Sequence, residues 1–387
     1  MRALDQANMV SRSIVVLQVL PALESGGVER GTLEVGRYLV EHGHRSLVMS
    51  AGGRLVEQLT GEGSRHFCWP VGEKSLRTLG LVRRLRRFLA EQQVDILHVR
   101  SRLPAWIGYL AWRGMDPATR PHLASTFHGF YSVNPYSAIM AKAEHIIAVS
   151  DCIADHIAEE YRPQAPVTTV HRGIDPAEYC RGFRPEDHWQ GQWAGQYPHL
   201  QGKRLVTLPG RITRLKGHHD FIEIIGRLKA MMPEVHGLIV GGYEPRRSRY
   251  FAELEEAIRG RGLSLDITFT GNRGDLKEIM SISALVLSLS SRPESFGRTV
   301  LEALALGVPV VAYDHGGASE ILGAMLPAGL VGLKDLPRLI EVSATFLRQA
   351  PAIGDLPEKF MLETMLSGTL DVYGKLLGEP CARQTVA

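Results

Sequence analysis

The chain has 387 residues, enough for two domains that each bury a core. It is 44% hydrophobic and 22% charged with a net charge of +3, an ordinary globular balance too mild to argue for a nucleic-acid partner. Its four cysteines (Cys68, Cys152, Cys180, Cys381) form no C-x-x-C pair and no metal-ligand spacing with histidine, which fits reduced thiols in the cytoplasm.

Residues 1–12 read as a loose leader. No apolar run precedes Ile14, so no signal peptide is expected, and no apolar stretch reaches the ~18–20 residues of a membrane span. Short β-branched runs then alternate with helical patterns, the sign of βαβ units on mostly parallel sheets. Residues 13–20 and 45–50 read as strands around a helix over 28–43, with further strands at 95–98, 123–128, 146–150 and 167–170 and a helix over 151–161. An amphipathic helix over 79–92 carries Arg83, Arg84, Arg86 and Arg87, either a solvated face or a cationic patch for an anionic inner leaflet. Arg100, Arg102 and Arg113 add charge and could instead read phosphates on a ligand.

Residues 181–202 are rich in Gln, Trp, His, Gly and Pro without a sustained period. They read as an interdomain linker, or as a small subdomain on Trp189 and Trp193. A second βαβ series follows, with strands at 204–208, 236–240, 266–270, 284–289 and 308–313 and helices at 219–232 and 250–261. Apolar positions at helical spacing over 360–377 close the chain. The expected fold class is α/β, two Rossmann-like doubly wound domains facing across a cleft. The boundaries are 1–180, 181–202 (linker), 203–359 and a helix in 360–387 that packs back on the first domain.

The most informative stretch runs from Arg292 to Pro309 and reads RPESFGRTVLEALALGVP. Glu294 lies in a Pro/Gly loop, and Glu302 lies one to two turns into a helix that starts near Gly297 or Arg298 and stops at Gly307. The N–H groups of Gly297, Arg298 and Thr299 would point out of that helix as an anion site. Carboxylates beside an anion site suit neutral hydroxyls, so the expected ligand is a phosphate flanked by sugars; a loop Glu and a solvated helix Glu are the plain alternative. Arg211 and Lys216 lie on the loop after the first strand of the second domain, beside Gly210, and two cations there suit a diphosphate clamp. Gly26 and Gly27 mark a strand-to-helix turn where backbone approaches something closely. His128 ends a strand facing the cleft and suits a sugar hydroxyl. Gly271, Asn272 and Arg273 are placed to hold a base edge, and Gly241 and Gly242 keep the pocket floor low. A G-x-G-x-x-G fingerprint and a G-x-x-x-x-G-K-[ST] loop are both absent, against NAD enzymes and ATPases.

Together SGGVER, HRGID, GRxxxxKG, ESFGRTVLE and the closing helix resemble the retaining glycosyltransferases of sequence family 4, which have the GT-B architecture. The resemblance spans nearly the whole chain. It implies that Glu302 binds the ribose hydroxyls and that Glu294, with Ser295, Phe296 and Gly297, holds the donor sugar. Arg211 and Lys216 would neutralise the diphosphate, which Gly26 and Gly27 would approach from the facing domain. It also implies a metal-independent front-face reaction without a cofactor, from a UDP-sugar in preference to a GDP- or ADP-sugar. The acceptor would be a cell-envelope glycolipid or oligosaccharide, most plausibly lipopolysaccharide core, met in the cytoplasm or on the inner face of its membrane. Two departures stand out: Arg172 where many relatives carry Asn, and the Trp-bearing 181–202 segment. A sugar-nucleotide epimerase, a phosphorylase of the same fold and a non-catalytic binding module are the alternatives.

Overall fold

The computed structural model describes residues 12–24, 26–75, 77–243 and 248–378. Ser25, Cys381 and the expected leader up to Ser11 lie outside the described residues. The chain divides into two compact units, one of residues up to Val170 together with those from Met365 onward, the other His171–Thr364.

In the first unit the elements run β1 (Val15–Val19), α1 (Gly27–Glu41), β2 (Arg45–Ser50), α2 (Val56–Gly61), β3 (Arg65–Cys68), α3 (Arg77–Glu91), β4 (Ile96–Val99), α4 (Arg102–Arg113), β5 (His122–Phe127), β6 (His145–Ala148), α5 (Asp151–His156) and β7 (Val167–Thr169). The strands form one parallel sheet ordered β3-β2-β1-β4-β5-β6-β7. All five residues of β1 and all four of β4 are buried, as strands covered on both faces must be. Helix α5 ends in a π-turn over Ile157–Tyr161.

Leu85, Phe88 and Leu89 of α3 join the core, while Arg83, Arg84 and Arg87 are exposed and Arg84 lies 4.2 Å over the Trp69 ring. Arg100 departs from its expected place. It is 2% exposed beside Tyr373, so it is not a surface phosphate reader. Burial pushes its pKa down against the charge of Tyr373 and Glu34. It sits in a buried polar group with His98, whose ring nitrogens lie 2.7 Å from Tyr373 Oη and Thr126 Oγ1.

The second unit runs α6 (Asp187–Gln196), β8 (Arg204–Pro209), α7 (His218–Met231), β9 (Val235–Val240), α8 (Ser248–Gly260), β10 (Ile267–Gly271), α9 (Leu276–Ser281), β11 (Leu285–Ser288), α10 (Arg298–Ala305), β12 (Val310–Tyr313), α11 (Gly317–Met325), β13 (Leu330–Val331) and α12 (Leu336–Arg348). Its sheet is parallel with order β10-β9-β8-β11-β12-β13. The last helix, α13 (Leu362–Leu377), belongs to the first unit from Met365 onward.

Residues 181–202 are not a structureless connector. Their middle folds as α6, and Trp189, Trp193 and Tyr197, four residues apart, line up on one side of it. Trp193 is buried with Leu200, Leu205, Leu238, Val240 and Ile279, and Trp189 stacks on it at 5.3 Å and 13°. A helix holding on through one aromatic stripe shows little apolar period, which is why periodicity misses it.

Candidate functional site

In the second sheet, β8 and β11 are hydrogen-bonded neighbours whose chain connections leave in opposite directions, so the carboxyl ends of these two strands mark the topological switch point. Ligands of doubly wound sheets bind there. The loop after β8 carries Gly210, Arg211 and Lys216, and the loop after β11 carries Glu294 to Gly297 and leads into Arg298 and Thr299 of α10. The two loops are packed so closely that a Cβ on Gly217 (φ +73°) would lie 2.1 Å from the Leu289 carbonyl oxygen. Ser291 N–H also donates to the Leu215 carbonyl at 2.8 Å.

Lys216 Nζ donates to Glu294 Oε1 at 2.6 Å, and the Ser290 hydroxyl donates to the same oxygen. Both side chains of the ion pair are partly buried, 31% and 23% exposed. Burial alone would raise the Glu294 carboxyl, but the charge and hydrogen bond of Lys216, the Ser290 hydroxyl and His315 together hold it below the usual carboxylate range. His315 and Ser290 are functional candidates that sequence reasoning missed. His315 Nε2 lies 2.7 Å from the Ser290 carbonyl oxygen, which ties the loop after β12 to the loop after β11. The available signal was D-H-G-G after an apolar strand, the same kind of cue as Gly26-Gly27.

The backbone of Glu294 is fixed as well. Gly317 N–H donates to its carbonyl at 2.8 Å, and Glu294 bridges Gly316 in parallel. A Cβ on Gly317 would lie 2.3 Å from Phe296 Cα, so only glycine permits this approach. Phe296 is buried, and Gly297 (φ +93°) starts α10, with Arg298 and Thr299 in its first turn. Glu302 is 4% exposed on α10, and Arg298 Nε donates to its Oε1 at 3.0 Å. A buried carboxylate needs such a partner.

Arg211 is exposed. A Cβ on Gly210 would lie 3.2 Å from Lys216 Cε, and one on Gly241 would lie 2.0 Å from the Gly210 carbonyl oxygen. One on Gly242 would lie 3.2 Å from Asn272 Cβ. The loops after β8, β9 and β10 therefore pack edge to edge, with Gly271, Asn272 and Arg273 at the far end. Arg273 does not stand as a free cation: it pairs bidentately with Asp275 at 2.8 and 2.6 Å and donates to Gln196 Oε1 at 3.1 Å. What this loop offers a ligand is Asn272 and backbone. Ser295 is partly buried between Glu294 and Phe296.

The remaining candidates lie in the first unit. Gly26 caps α1 at φ 145°, Gly27 begins that helix, and both are exposed. His128 directly follows β5 and is half-buried. Among the described residues no helix is long and apolar enough to cross a membrane.

Comparison with known proteins gives this arrangement a context. Residues 25–178 match Glycosyltransferase Family 4, and residues 190–332 match Glycosyl transferases group 1. The lipopolysaccharide core biosynthesis mannosyltransferase LpsB of Rhizobium meliloti (strain 1021) is 28% identical over 56% of this chain and 58% of its own length, so the match spans less than two thirds of that enzyme. The N-acetyl-alpha-D-glucosaminyl L-malate synthase of Bacillus anthracis is 23% identical over 78% of this chain and 79% of its own. The crystal structure of a glycosyltransferase from Rickettsia africae ESF-5 superposes with a TM-score of 0.79 at 27% identity, covering 95% of this chain and all of the other. With both family segments in one chain and two parallel sheets of this topology, the chain belongs to the glycosyltransferases of the family 4 and group 1 type, with the GT-B fold.

Proposed function

We propose that the chain is a retaining transferase that moves a sugar from a nucleoside-diphosphate sugar to a cell-envelope glycolipid, in the first instance lipopolysaccharide core. The observation that carries this reading is the Lys216–Glu294 pair at the switch point of the second sheet, with Arg211 on the same loop and the start of α10 on the other. A carboxylate and a lysine held 2.6 Å apart suit a ligand with an anionic end and a hydroxyl-bearing end. The likeness to the lipopolysaccharide core biosynthesis mannosyltransferase of Rhizobium meliloti supports the choice of acceptor.

In the proposed reaction the bond between the anomeric carbon and the diphosphate oxygen breaks, and its electron pair stays on that oxygen. The acceptor hydroxyl oxygen bonds to the anomeric carbon from the same face, and its proton passes to the departing diphosphate. Lys216, Arg211 and the N–H groups opening α10 stabilise the leaving charge, so no metal ion is required. Glu294 accepts from a hydroxyl of the transferred sugar, and Glu302 accepts from the ribose beside its bond to Arg298. The Asn272 loop meets the base, with uracil favoured over guanine and adenine. In the first unit Gly26, Gly27 and His128 are the residues proposed to meet donor and acceptor. The exposed Arg83, Arg84 and Arg87 suit attachment to the inner face of an anionic membrane.

The test is thermal stability with UDP, GDP, ADP, their sugar adducts and NAD. A ligand at 100 times its dissociation constant adds about 2.7 kcal/mol, a shift of a few degrees. The expected result is a shift with one nucleoside diphosphate that is lost in Glu302→Ala and Lys216→Ala. A shift with NAD alone, or with none of the panel, overturns the reading, and loss of transfer on chelating divalent ions overturns its metal-free chemistry.

A further inference from the structure

The segment expected to be a connector touches the proposed base loop. Trp189 Nε1 donates to Asp275 Oδ2 at 2.7 Å, across 86 residues of sequence. The same carboxylate takes both arms of Arg273, whose remaining nitrogen reaches Gln196 at the end of α6. The Arg273 guanidinium also lies 5.7 Å from the centre of the Trp193 ring. Trp193 itself is anchored in the unit's core beside β8 and β9. The loop needs such a tie, because β10 leaves its regular register between Phe269 and Gly271, and Gly271 takes φ +73°. Without an outside brace, a glycine-flanked turn of this kind has many backbone states to lose on binding.

We propose that Trp189, acting through Asp275 and Arg273, is a positioning residue that fixes the Asn272 loop and so sets which nucleobase the donor site accepts. The inference rests on the donor-site reading above. The ion pair stays intact over the neutral range, since its hydrogen bonds to Asp275 hold Arg273 above its ordinary value, and although burial raises Asp275, Arg273 and Trp189 together bring it below its own. Among the described residues no hydrogen bond or ion pair joins helix α6 to Lys216 or Glu294, whose side-chain partners are each other and Ser290, so the diphosphate end of the site does not depend on it. Base recognition and diphosphate recognition are thereby held by different parts of the unit.

The test uses the full chain and compares the wild type with Trp189→Phe, which keeps the stacked ring and removes the N–H donor, and with Asp275→Asn. Binding of UDP, GDP, ADP and inorganic pyrophosphate is measured by titration calorimetry. The expected result is a loss of about tenfold for the preferred nucleoside diphosphate, with narrowed preference over the other two and unchanged pyrophosphate affinity. With donor sugar, KM should rise while kcat holds. Wild-type discrimination in both variants overturns the inference, and so does a pyrophosphate affinity that falls in step, because that is general loosening of the unit. A wild type that binds none of the three nucleotides overturns the donor reading itself, a result distinct from variants that discriminate as the wild type does.

Discussion

Replacing Glu294 by Gln separates two roles that the wild-type carboxylate combines. Glu294 is paired with the lysine that the proposed diphosphate needs, at 2.6 Å and about three-quarters buried. A charge-assisted bond of this kind is worth about 1.5–3 kcal/mol net, and the partial exposure of both side chains brings it to about 1–2 kcal/mol. An anion entering the site competes with that amount. Glu294→Gln removes the charge and keeps the shape, so pyrophosphate should bind about five- to thirtyfold more tightly. Transfer should move the opposite way, by about a hundredfold, because a sugar hydroxyl loses a charged acceptor at the reacting end. Titration with pyrophosphate and initial rates of transfer measure the two effects on the same preparation. The pair has a pH signature too. Glu294 titrates below its ordinary value in the folded chain, so the pair's contribution is present at neutral pH and lost only as pH falls through that lowered value. Pyrophosphate binding that weakens in Glu294→Gln would refute the competition, and undiminished transfer would refute the carboxylate's role.

Three further outcomes are expected. His218 and His236 are buried and held neutral, burial lowering each from 6.5 to about 4; the unfolded chain binds more protons between those values, so stability falls with pH by about 3 kcal/mol per histidine between pH 6.5 and 4. Urea midpoints that stay level from pH 7 to pH 4.5 contradict this. Gly317→Ala places a methyl 2.3 Å from the Phe296 backbone and should cost about 1–3 kcal/mol, together with most transfer activity; unfolding midpoints and rates check it. Tyr373→Phe removes the hydroxyl shared by His98 and Arg100 in the first unit and should cost about 1–3 kcal/mol by urea unfolding, with nucleotide affinity unchanged.

Much of the fold was legible because parallel sheets write themselves plainly. Strands buried on both faces, such as β1 and β4, show as short apolar runs, and the helices between them carry apolar stripes. Of the elements that escaped, α2 and β3 are short and half-exposed and α6 hangs on one aromatic stripe, whereas α4, α11 and α12 are regular helices missing from the sequence-based expectation. Arg100 escaped for a different reason. Sequence treats an arginine as surface charge, and only the third dimension supplies Tyr373, 273 residues later, to bury it against.

At the candidate site the sequence supplied residue types but not their pairings. Glu294, Lys216 and Arg211 could be named from loops at strand ends, since fold topology alone puts those ends on one edge. Whether a cation on that edge is available to a ligand depends on partners that no spacing reveals. Lys216 is held by Glu294, Arg273 by Asp275, and Arg298 by Glu302, whereas Arg211 stands exposed. Three of these four cations are thus already matched to carboxylates, and this bears on what the proposed site would favour. A bare anion must outcompete Glu294 for Lys216 and gains nothing for the carboxylate it displaces. A diphosphate carrying a sugar gives that carboxylate a hydroxyl in exchange, and a ribose can do the same for Glu302. On the proposed reading, internal ion pairs of this kind would select for a ligand that joins phosphate to sugar over either group alone.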